Sequence, residues 1–223
     1  MPRMRRILET LAVAIACVGA FLLVKEFKTS LFSSASMQEA SDTASATAEK
    51  QIKLAQDKAT ENKSATEILA KKSRKDITAT LDATQTDKAK FVAASNFFFG
   101  TYFLNTRAHA EYCASRGIKI DSFVAAYKQI NHDLFVAAER YQIEDFREHG
   151  HSYDIDQFYR MMSPTAEKYI VQDMKDLASM LKISESEVCQ SLEQNAAQWA
   201  ANMDYRRRVP EGAQILLESV HVR

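Results

Sequence analysis

The stretch DSFVAAYKQINHDLFVAAERYQIEDFREHG, residues 121–150, decides the fold class. Its apolar residues Phe123, Val124, Tyr127, Ile130, Leu134, Phe135, Ala138 and Tyr141 recur at three- and four-residue intervals. That spacing places them on one buried face of a helix. Asp121 stands where an N-cap belongs. The pattern fades near Glu148, and His149-Gly150-His151 reads as a loop.

Working outward, the same period continues on both sides. Upstream, a helix over about 90–115 carries Phe91, Phe98, Phe99, Tyr102 and Phe103, and Gly117 ends it as a left-handed cap. Downstream, Asp154 caps a short helix with Ile155, Phe158, Tyr159 and Met162. Ser163-Pro164 has the look of the next helix start, with proline in the first turn. Its apolar face is Tyr169, Ile170, Met174, Leu177 and Leu181. Ser184-x-x-Glu187 is a capping box opening a last long helix through Val188, Leu192, Trp199 and Met203. Arg206, Arg207 and Arg208 sit in its last turn, where cations suit the helix dipole. The reading is all-α: an antiparallel bundle of about four long helices plus a short one over 91–208, with a tail over 209–223 docked through Ile215, Leu216, Leu217 and Val220.

Composition agrees. Only 5 Gly and 3 Pro occur in 223 residues, too few for the many tight turns of a β-sandwich or barrel. Formal net charge is zero. Residues 91–223 carry 14 Lys and Arg against 18 Asp and Glu, which speaks against a nucleic-acid-binding face.

The N-terminus points to a membrane. Arg3, Arg5 and Arg6 precede an apolar run from Leu11 to Val24, which Ile7 and Leu8 extend backward. Residues 1–28 therefore read as a basic cytoplasmic tip and a short transmembrane signal-anchor, with everything after it exported. A cleaved signal peptide is the rival, since Val18-Gly19-Ala20 has cleavage-site spacing. The apolar run continues past it through Phe21 to Val24, which favours a retained anchor. A lipoprotein signal around Cys17 is a weaker fit, because the residues after it stay apolar.

Residues 29–90 change character, with no Gly, no Pro and few large apolar residues. Ile52, Leu54, Ile68, Leu69, Ile77 and Leu81 make too thin a stripe for a stable coiled coil. The expectation is a polar stalk, helical or disordered, serving as spacer or solvated linker.

Chemistry-bearing motifs are sparse. Cys113 closes the first bundle helix and Cys189 opens the last, which places both thiols at one end of an up-and-down bundle and predicts a disulfide in an oxidising compartment. His149, His151 and Asp154 are the metal candidates, although a His-x-His pair without a clear third ligand suits a solvated loop better. His109 and His132, among apolar neighbours, read as structural histidines. Tyr153, Phe158, Tyr159, Arg206, Arg207 and Arg208 form the candidate partner surface, core packing being the alternative for the aromatics. No phosphate loop, nucleophile elbow or zinc-hydrolase motif is present. No cofactor is implied. The layout suggests a non-enzymatic periplasmic accessory protein binding a protein partner of an envelope machine such as a pilus or secretion system. A metal-binding sensor or enzyme and a homo-oligomeric structural protein are the rivals. The oligomeric state is left open.

Overall fold

A computed structural model describes residues 34–60 and 63–218. The expected membrane segment, 1–28, lies outside them, as does Val220. Among the described residues no helix is long and apolar enough to cross a membrane.

The architecture is all-α. Helices α1 (Ser34–Gln56) and α2 (Ala65–Ala83) form a hairpin. Helix α3 (Asp87–Phe103) runs through a π turn (Leu104–Ala108) into α4 (His109–Ala114). Then come α5 (Asp121–Ile130), α6 (His132–Glu148) and the long α7 (Ile155–Leu181). The chain closes with α8 (Glu185–Gln194), α9 (Ala196–Asn202), the single turn α10 (Tyr205–Arg208) and α11 (Pro210–Glu218).

The aromatic residues of α3 form the centre. Phe97, Phe98, Phe99 and Phe103 are fully buried. Phe99 touches the rings of Phe103, Phe135, Tyr153 and Phe158 at 5.5 to 6.4 Å between centroids, edge to face with Phe135 and Phe158. Helix α6 lies antiparallel to α3, as Asn96 with Gln142, Phe91 with Tyr141 and Lys88 with Glu148 show. Helix α11 packs on α3 and α6 with Ala213 and Leu216 buried.

The described residues of the expected stalk, 34–60 and 63–90, are instead part of the packed body. Helix α1 lies along α7: the Ser41 hydroxyl donates to Met161 O at 2.8 Å, Lys168 pairs with Glu49, and Gln56 Nε2 donates to Gln172 Oε1 at 2.5 Å. Residue numbers rise together in these pairs, so the two helices are parallel and the bundle is not wholly antiparallel. The buried face of α1 is small: Ser41, Ala44, Ser45, Ala48 and Ala55. Small residues at this spacing carry little hydropathy yet let two backbones approach closely, so a count of large apolar residues passes over the seam. Helix α2 opens with a capping box, Ser64 with Glu67, and Asp176 of α7 also accepts its Thr66 N–H at 2.7 Å. Leu69, Ile77 and Leu81 bury its inner face.

Four boundaries differ from the sequence reading. The last long helix expected from Ser184 to Arg208 breaks after Gln194 and again after Asn202 into α8, α9 and α10. Residues 155–181 form one helix, with Pro164 inside it. Proline has no N–H to donate to Arg160 O, and the Ser163 hydroxyl donates there at 3.2 Å instead. The helix expected over 121–148 breaks at Asn131, whose buried side chain accepts Tyr205 N–H at 3.2 Å and donates to Tyr127 O at 3.1 Å. Asp121 lies in the first turn of α5 rather than at its N-cap. Glu193 of α8 does the capping from across the bundle, accepting Ser122 N–H at 2.9 Å.

Other local signals hold. Gly117 has φ 75°, and the bonds from Ile118 N–H to Cys113 O and from Gly117 N–H to Ala114 O close the helix end. Asp154 accepts the N–H groups of Asp156 and Gln157. Both halves of the Ser184 capping box are made. Ser184→Ala is expected to cost about 1 kcal/mol, read as a lower midpoint in denaturant with an unchanged slope.

Candidate functional site

Cys113 and Cys189 are joined. Their Cα atoms lie 5.6 Å apart and both residues are fully buried. The bond ties α4 to α8. On the surface above it, the Tyr112 hydroxyl donates to Glu185 and Arg116 pairs with the same carboxylate.

The loop candidates are not brought together into a site. His149 is exposed, with Nδ1 2.7 Å from Asp145 O. The Asp154 carboxylate is occupied at the start of α7. Among the described residues no group of three or more His, Cys, Asp or Glu side chains is placed to hold a metal ion.

The candidate partner surface falls largely inside the body. Phe158 and Tyr159 are buried: Phe158 packs on Phe99 and Phe103, and the Tyr159 hydroxyl donates to Glu111 at 2.5 Å. Tyr153 is half-buried against Phe99 and Phe146. The aromatic side chains of α3 need partners on several sides, and α7 supplies them. The arginines brace the fold. Arg206 pairs with Asp133 and donates to Ile130 O at 3.0 Å, Arg207 donates to Ala201 O at 3.2 Å, and buried Arg208 donates to Asn202 O. Arg207 is the exposed member of the three. Apolar exposure lies elsewhere: Val136 and Ile143, seven residues apart on α6, are 53% and 44% exposed.

The most unusual chemistry sits at the π turn. Its shifted register brings His109 N–H to Leu104 O, five residues back. Asn105 Nδ2 and the Thr106 hydroxyl donate to Thr101 O and Tyr102 O, four residues back. The His109 ring follows its backbone, with Nδ1 3.1 Å from the same Leu104 O. A carbonyl only accepts, so Nδ1 carries a hydrogen. Nε2 therefore faces the other way, towards Asp173 Oδ2 of α7 at 3.7 Å. Both side chains are 0% exposed. Among the described residues neither Asp173 oxygen has a partner within hydrogen-bond distance.

Burial pushes the Asp173 carboxyl up from the ordinary carboxylate range. His109 pulls it down, Asp176 adds to the rise, and Arg208 opposes it from further off. The sequence reading placed His109 on an apolar face but had no signal for Asp173, 64 positions away in a helix of mixed charge.

The chain matches no protein-family model, no curated protein and no solved structure.

Proposed function

We propose that this chain is an exported helical protein of a bacterial-type envelope. Residues 1–28 hold it at the inner membrane, residues 34–218 lie on the periplasmic side, and it works through contact with a protein partner in assembling or stabilising an envelope machine such as a pilus or secretion system. The buried Cys113–Cys189 disulfide carries the reading. Such bonds persist in oxidising compartments and are rare where glutathione keeps thiols reduced. The basic and apolar residues of 1–24 supply the matching export signal. The exposed pair Val136 and Ile143 supports a partner contact on α6.

Spheroplasts expressing the full chain test the topology. Added protease, above the concentration that the folded body withstands, is expected to digest residues 34–218, while without protease the chain sediments with membranes and resists alkaline carbonate extraction. Thiol trapping before lysis is expected to leave Cys113 and Cys189 unmodified. A protease-protected chain with both thiols alkylated would sink the proposal. A photo-crosslinking residue at position 136 identifies the partner, and a self-adduct would favour the homo-oligomeric rival.

A further inference from the structure

We propose that His109 and Asp173 form a one-proton latch, tying the π turn and α4 to α7 at neutral pH and weakening as the medium turns alkaline. The inference goes beyond the proposed function and holds wherever the chain resides.

Leu104 O fixes the His109 tautomer, so Nε2 meets the Asp173 carboxyl as a bare lone pair unless a proton lies between them. A fully buried carboxylate beside a neutral imidazole is costly, because nothing replaces the water that solvated the charge. One proton removes the conflict in either location, on Nε2 as an imidazolium–carboxylate pair or on Oδ2 as a neutral acid. The proton belongs to the pair.

Each packed element bears on the pair. On α7, Asp176 repels a second negative charge, but its own oxygens accept the Thr66 N–H at 2.7 Å and the Gln172 amide at 2.8 Å. On α10, buried Arg208 favours the carboxylate, and Asp204 lies on the same turn. On α5, Phe123 stacks edge-on to the imidazole at 6.0 Å, and the Tyr127 hydroxyl is pushed up by burial and stays protonated. On the π turn and α4, Arg107 pairs outward with Asp156, and Glu111 accepts from Tyr159. Helix α8 is joined to α4 through the Cys113–Cys189 disulfide, which does not titrate.

The proton count sets the pH dependence. The folded pair holds one proton. Unfolded, the two side chains hold one between about pH 4 and 6.5 and none well above that. Stability is therefore flat across that window. Above about pH 6.5 the folded state holds the extra proton, so the unfolding equilibrium constant rises up to tenfold per pH unit. Asp173→Asn reverses the pattern. An asparagine amide faces Nε2 with a donor in place of a charge and the folded site binds no proton, so stability is flat above about pH 6.5 and falls below it, where the unfolded histidine gains charge.

The experiment is denaturant unfolding of the full detergent-solubilised chain, disulfide intact, from pH 4.5 to 9, in wild type and Asp173→Asn. The difference between the two curves cancels the exposed histidines His132 and His149. The expected result is a difference that changes by up to tenfold per pH unit on the alkaline side. Parallel curves would overturn the latch. If Asp173→Asn fails to fold, His109→Gln serves: its lone buried acid should make stability fall from about pH 4 upward, and a curve parallel to wild type overturns the latch equally.

Discussion

Replacing both Cys113 and Cys189 with alanine is expected to lower stability by about 4 to 5 kcal/mol. The bond spans 76 positions. On the chain-entropy account, closing a loop of that length in the unfolded state accounts for about 4 to 5 kcal/mol. For a protein of this size that corresponds to a fall in Tm of roughly 10 °C or more. The replaced sulfurs are fully buried, so lost packing adds to the loss. Reduction of the wild type under mild denaturant should move its midpoint in the same direction. The alanines leave no buried hydroxyl, which separates the cross-link from the cost of an unpaired polar group. A double variant with the wild-type midpoint would mean that the bond contributes nothing to the folded body.

Ala48→Arg is the second large effect, and it tests whether residues 34–83 belong to that body. Ala48 has no exposed surface and sits in the seam of α1. An arginine there must bury an unpaired charge, at several kcal/mol, or push α1 away from α7. Expulsion is the cheaper outcome, since among the described side chains of α1 the fully buried ones are small and Ile52 is only partly buried. Its visible contacts, Lys168 with Glu49 and Gln56 with Gln172, would go with it. Limited proteolysis should then cut within residues 34–60 while leaving 87–218 intact. The wild type should resist at the same protease concentration. Equal cleavage of both proteins would restore the reading of a free stalk. Glu39→Arg, exposed on the same helix, is the control and should change nothing.

Some of this was legible in the sequence because it is closed within a few residues. The α3, α6 and α7 faces follow from apolar spacing. The Asp154 cap, the Ser184 capping box and the Gly117 stop are bonds between near neighbours, so the residues that make them announce them. The Cys113–Cys189 pairing also followed, since helix order alone puts both thiols at one end.

Tertiary structure decided the rest. The Ser41, Ala44, Ala48 and Ala55 seam has almost no hydropathy of its own, and its worth depends on α7 lying against it. Pro164 stops a helix locally, yet a helix held along both flanks by α1 and the α3–α4 unit tolerates the lost bond once Ser163 donates in its place. Glu193 caps α5 from another helix, and Asp176 joins Ser64 in capping α2 from α7. Phe158, Tyr159 and Arg208 read as surface candidates only until α3 and α9 cover them. His109 and Asp173 make the strongest case. Each is ordinary in its own helix, and only burial together turns them into a pair that shares one proton. The sequence by itself determined the helical class and several helix ends, because those depend on bonds between near neighbours. What the helices bury against, and what chemistry that burial creates, depends on groups far apart in the chain, and only the packed fold could decide it.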